Sequence, residues 1–169
     1  MTLPCSLALV ALRPPGAADL PAAVAPELAR RLGAEWLRLD AEAAPAEALA
    51  RLRAPGASHL AAIPHDPGLP LAVGGSWAEA LGAWRQPTLL LVACPHLASG
   101  LPAAATALLR QWQVPLVGLL QWDGPWSPQS RRADGLPWLG CAAELDDAGL
   151  RLLVERRLQR LVLPSPAAV

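Results

Sequence analysis

Pro87-Thr88-Leu89-Leu90-Leu91-Val92-Ala93, the small-residue stretch Leu101 to Trp112, then Val114-Pro115-Leu116-Val117-Gly118-Leu119-Leu120: this run decides the fold. Each aliphatic segment has strand length and is almost continuously apolar, as a strand covered on both faces must be. The stretch between them is long enough for a helix that carries the chain from one parallel strand to the next. The interval Gln86 to Leu109 has no charge, which invites a membrane span. Pro87, Pro95, Gly100 and Pro102 break it, however, and a spanning helix wants about 20 mainly apolar residues in one piece. We read strand, turn and helix, and expect no membrane partner.

The same alternation extends in both directions. Ser6 to Leu12, Glu35 to Leu39, His59 to Ile63, Thr88 to Ala93, Val114 to Leu120 and Pro137 to Cys141 read as strands. Between them Pro21 to Leu32, Pro45 to Leu52, Trp77 to Arg85, Leu101 to Trp112 and Asp146 to Leu161 read as helices. Asp19 or Asp40 stands where a helix cap would, and Ser76 precedes Glu79 at capping-box spacing. Leu150, Leu153, Val154, Leu158 and Leu161 recur at helical spacing, with Arg156 and Arg160 on the other face. The expectation is an α/β fold: a single three-layer, doubly wound, mainly parallel sheet over residues 1–163, with a frayed tail at 164–169. Pro125 to Gly135 reads as the longest polar loop.

Composition narrows the chemistry. Of 169 residues, 53% are apolar and 17% charged, which suits a domain with a real core. Lysine is absent, so all 14 basic residues are arginine. That removes the phosphate-gripping lysine of a P-loop, Schiff-base catalysis and kinase-type sites. Fourteen acids balance the arginines to zero formal charge, and nucleic acid is not an expected partner. Cys5, Cys94 and Cys141 are odd in number and far apart, without a Cys-x-x-Cys, so neither a disulfide framework nor a metal site is read from them. A reducing cytoplasm is the compartment that fits.

In an open doubly wound sheet, ligands sit beyond the carboxyl ends of the strands, which directs attention to four loops. Arg13-Pro14-Pro15-Gly16-Ala17-Ala18-Asp19 stands where nucleotide-binding folds place a glycine-rich cradle. Arg13 and Gly16 are its candidate ligand contacts, although two prolines remove two N–H donors. His65-Asp66 offers a proton shuttle steered by a carboxylate, with Gly68 beside them a candidate ligand contact; Pro-His-Asp-Pro-Gly reads equally as a turn. Ser76 in Gly74-Gly75-Ser76 is a cap, because position 78 is alanine and the nucleophile-elbow pattern fails. Cys94 and His96 are spaced for a thiol mechanism, but Cys94 is expected to be a small buried apolar residue. Trp122 and Trp126 flank Asp123-Gly124-Pro125, with Arg131 and Arg132 following. Gln121, Trp122 and Asp123 are candidate ligand contacts, and Trp126, Arg131 and Arg132 candidate partner contacts; loop anchoring is the alternative.

From Pro87 to Gly140 the chain resembles the second half of dethiobiotin synthetases. The Leu90-Leu91-Val92-Ala93 strand matches their "LLVA", Val114 to Leu120 their "VxGxxxN" type, and Leu136-Pro137-Trp138-Leu139-Gly140 their "xPxLG" segment near the adenine pocket. Pro67-Gly68-Leu69-Pro70-Leu71 looks like their "EGAGGxxVPL". The resemblance covers about half the chain and implies a P-loop-NTPase-like fold. It also implies a function: family members use ATP and magnesium to carboxylate and close 7,8-diaminononanoate. Their catalytic residues do not carry over. Arg13 to Asp19 replaces the Walker A loop, and no lysine follows the second strand near Arg38 to Asp40. Asp66 is the only carboxylate near the magnesium-ligand position, and Gln121 falls near the adenine-reading asparagine. The resemblance therefore implies a degenerate relative near biotin synthesis without ordinary ATP hydrolysis, with ATP and magnesium as cofactors only if the family activity persists. The alternatives are a residual enzyme using His65 and Asp66, and a non-catalytic module that forms a homodimer or takes a small-molecule or protein partner.

Overall fold

The run Leu7-Ala8-Leu9-Val10-Ala11 is buried at all five positions, and this forces a layer of structure onto each side of it. The computed structural model describes residues 3–12, 20–40 and 42–162 and supplies both layers. In chain order its elements are β1 (Leu7–Ala11), α1 (Leu20–Leu32), β2 (Glu35–Trp36), α2 (Pro45–Leu52), β3 (His59–Ala62), α3 (Trp77–Ala83) and β4 (Thr88–Val92). A 3₁₀ turn at Cys94–His96 leads to α4 (Leu101–Gln111), β5 (Leu116–Gln121), α5 (Pro128–Ala133), β6 (Trp138–Cys141) and α6 (Asp147–Val162). The strands form one all-parallel sheet in the order β2-β3-β1-β4-β5-β6. This is a three-layer α/β fold of the P-loop-like kind. The cradle loop with Arg13, Gly16 and Asp19, and the tail at 164–169, lie outside the described residues.

Alternation along each strand divides the core in two. Leu7, Leu9, Leu89, Leu91 and Leu120 point to one face, where Val24, Leu28 and Leu32 of α1 meet Leu150, Val154 and Leu158 of α6. Ala8, Val10, Leu90, Val92 and Leu119 point to the other, against Leu49 and Leu52 of α2, Trp77 and Leu81 of α3, and Leu109 of α4. Each fully buried leucine contributes about 1.5–3 kcal/mol relative to an exposed one, so these two seams outweigh any single polar contact. The division also follows from direction. The step from β1 to β2 runs opposite to the steps β2 to β3, β3 to β4 and β4 to β5, so one crossover hand puts α1 on one face and α2, α3 and α4 on the other.

Where the elements differ from expectation, the causes are local. β2 ends at Trp36, not Leu39, because the chain leaves the sheet edge and tucks Leu39 into the α2 side of the core. Asp40 does not cap α2; its carboxylate accepts from the Glu42 N–H at 3.1 Å and shapes a turn, while Ala44 stands at the cap position of α2 and offers no side-chain bond. Ser76 does cap α3, accepting from the Glu79 N–H at 3.2 Å. The loop from Pro125 to Gly135 contains α5, which Ser127 caps and Pro128 opens. No residue of α5 is buried, so it carries no apolar periodicity to read. Among the described residues no helix is long and apolar enough to cross a membrane.

Candidate functional site

The chain leaves β1 toward one side of the sheet and β4 toward the other, so the crevice of this fold lies beyond their carboxyl ends. Three described loops meet that edge, from β3, β4 and β5.

After β3, His65 and Asp66 are both exposed. Asp66 accepts the Gly68 N–H at 2.8 Å on its carboxylate and the Leu69 N–H at 3.2 Å on its carbonyl. The buried Pro67 then offers its carbonyl to Ala78 at 2.8 Å, which pins the turn to the start of α3. Gly68 is there for closeness: a side chain would come 3.0 Å from Leu108 of α4.

After β4, the 3₁₀ turn carries Cys94 to the surface and folds His96 beneath it. Cys94 is exposed, contrary to expectation, because the turn begins at the strand end and its N–H is held by the Asp123 carboxylate at 2.7 Å. His96 is 5% exposed, and its Nε2 has no hydrogen-bond partner among the described residues. The thiol presses on Gly124, where a Cβ would stand 2.6 Å from Sγ; with φ at +77° the position favours glycine twice over.

After β5, Gln121 organises the loop. Its side-chain amide donates to the carbonyls of Asp123, Gly124 and Pro125 at 2.8, 3.1 and 3.2 Å. Three carbonyls around one nitrogen fix the amide's orientation and leave Oε1 buried and without a partner among the described residues. The buried Cys141 approaches the Gly124 carbonyl from the other side at 3.8 Å. Trp122 packs on the α1 and α6 face of the core.

The remaining candidates form an anchor around Trp138. Trp126 meets it edge to face, with ring centres 6.0 Å apart, and Arg131 lies 5.0 Å above the ring. Asp134 accepts the Trp138 indole N–H at 2.9 Å and pairs with Arg131 at 3.4 Å. Arg131 also reaches the Leu97 carbonyl, which ties this loop to the one after β4. Arg132 is exposed and donates to Pro128.

Gln121, Asp123 and Cys94 are thus brought together at one edge, with His96 folded under the same turn. Trp126 and Arg131 turn inward to Trp138, and His65 and Asp66 stand on a separate turn. Sequence reading missed Asp134 and Trp138 as the anchor; the Asp-Gly turn four residues before a tryptophan was the available signal. Among the described residues no group of three or more histidine, cysteine or acidic side chains is arranged to hold a metal ion. Comparison of the chain with protein-family models, curated proteins and solved structures found no match in any of the three.

Proposed function

We propose that this chain is a dethiobiotin-synthetase-like scaffold that does not hydrolyse ATP and works as a binding protein, with its place near biotin synthesis inherited from that resemblance. One observation carries the loss of hydrolysis. The side chain at the position where the family reads adenine is spent on its own loop, Gln121 on three carbonyls, while Asp66, near the magnesium position, accepts the Gly68 N–H on one carboxylate oxygen. An adenine-reading amide must both donate and accept, and Gln121 has only its oxygen left. Gln121 does not fit an adenine edge, and without lysine the chain lacks the usual cation for a triphosphate.

Calorimetric titration with magnesium ATP, with phosphate release followed in parallel, tests the reading. The expected result is no turnover and binding no tighter than about 1 mM, a free energy near −4 kcal/mol. Micromolar binding accompanied by phosphate release would overturn it.

A further inference from the structure

At the opposite edge of the sheet, below the amino ends of β1, β2, β3 and β4, an open cleft of about 650 Å³ is lined by Cys5, Glu35, Arg53, Ser58, Arg85 and Gln86 among others. We infer that this cleft binds a small oxyanion, the phosphate or carboxylate head of a metabolite, between Arg53 and Arg85. The inference is independent of the reading above, because it uses none of the residues at the carboxyl edge.

Arg53 and Arg85, which follow α2 and α3, both line the cleft, and each gives one bond to a backbone carbonyl outside the lining. Arg53 donates to the Trp84 carbonyl at 3.0 Å and Arg85 to the Gln113 carbonyl at 3.5 Å. Neither forms an ion pair within 4 Å among the described residues. Each guanidinium spends one of five donors, and the rest suit the paired oxygens of a phosphate or carboxylate. Glu35, the one carboxylate lining the cleft, approaches His59 Nε2 at 3.9 Å instead.

Arg85 also holds a backbone conformation that asks for an explanation. It follows α3 in the position that closes a helix, with φ at +49°, its own N–H bonded to Gly82 and that of Gln86 to Leu81. Glycine is the usual residue there, and it fills the equivalent place after α1 at Gly33, φ +69°. Gln113 holds the same place after α4 at φ +55°, and of the two it is Arg85 that lines the cleft. Gln86, next along and 1% exposed, lends the floor rigidity by donating to the Ser6 carbonyl at 2.8 Å.

Cys5 supplies a reporter inside the cleft, and the exposed Cys94 a control at the far edge. The experiment alkylates the full-length chain with iodoacetamide and maps the rate at each cysteine, with inorganic phosphate in one arm and succinate in another. With a dissociation constant near 1 mM, about 10 mM of the bound anion should slow Cys5 about tenfold and leave Cys94 unchanged. Protection by phosphate alone assigns a tetrahedral head, and protection by both assigns oxyanions generally. Arg85→Gly, which places the favoured residue at that helix end, and Arg53→Ala should each abolish the protection. No protection by either anion, equal slowing at Cys94, or protection that survives both substitutions would overturn the site.

Discussion

The two edges of the sheet each contain a fully buried glutamine, and they use it in opposite ways. Gln121 at the carboxyl edge gathers three carbonyls within four residues of itself and so shapes one loop. Gln86 at the amino edge reaches 80 residues back to Ser6 and ties the start of β4 to the start of β1. Around Gln121 the loops close on themselves, Asp123 holding Cys94 and Trp126 and Arg131 closing on Trp138, although Gln121 Oε1 and His96 Nε2 keep no partner among the described residues. Around Gln86 two arginines are left facing an open cleft. The usual ligand edge is largely occupied by its own loops, and the arginines that line an open cleft stand at the other one.

The largest expected effect separates backbone packing from loop adjustment. A Cβ at Gly82 of α3 would fall inside van der Waals contact of the Trp112 carbonyl, where α3 meets the end of α4. Neither backbone can yield without separating the helices, so Gly82→Ala should cost about 3 kcal/mol, near the upper end for overpacking. At the carboxyl edge Gly124→Ala meets only the exposed Cys94, whose Sγ can turn away while its Cβ, 3.0 Å from the new methyl, gives by a few tenths of an ångström. There the left-handed backbone supplies most of a penalty of about 1–2 kcal/mol. With some 2–4 °C per kcal/mol for a chain of this size, thermal melts should resolve the two variants. Equal midpoints would mean that the α3–α4 approach is not a rigid contact.

Exchanging each glutamine for leucine gives the next effect and a sharper contrast. Gln121→Leu strands carbonyls that now share one donor and should cost about 2 kcal/mol; Gln86→Leu, which loses one short and one long bond, should cost about 1 kcal/mol. The readout that distinguishes the edges is alkylation. Gln121→Leu should loosen the loop that holds Cys94 and speed its modification, leaving Cys5 unchanged. Gln86→Leu should do the reverse. If either substitution alters both cysteines alike, the edges are coupled through the sheet and the contrast drawn above fails.

How much of this was legible in the sequence depends on whether the signal was local. Thr88 to Val92 and Leu116 to Gln121 could be read because strands buried on both faces must be apolar throughout, whatever their partners. Ser76 could be read as a cap because its bond to the Glu79 N–H closes within three residues. α5 could not, since a helix with nothing buried leaves no pattern beyond Ser127-Pro128 at its start. Cys94 was misjudged because residue type suggested burial, while the exposure comes from the turn in which it sits and from Asp123, 29 residues away. The cleft at the amino edge was invisible for the same reason. Cys5, Arg53 and Arg85 are far apart in the chain, and only the strand order brings them together.

The smallest expected effect bears most directly on the amino edge, because its sign differs from that of nearly every other substitution. Replacing Arg85 by glycine removes a side chain that packs nothing in the core and relieves φ +49° at a helix end. It also gives up one long bond to the Gln113 carbonyl, at 3.5 Å and on the surface, where water replaces it at little cost. Glycine is more flexible in the unfolded chain, which takes back part of the gain. The balance should leave Arg85→Gly more stable by up to about 1 kcal/mol, a rise of roughly 2–4 °C in the melting midpoint. A residue kept against stability is what a binding role predicts, so a stabilised variant that has lost anion protection of Cys5 joins the two findings. A destabilised variant would instead show that Arg85 serves the fold, and its backbone conformation would then need no ligand to explain it.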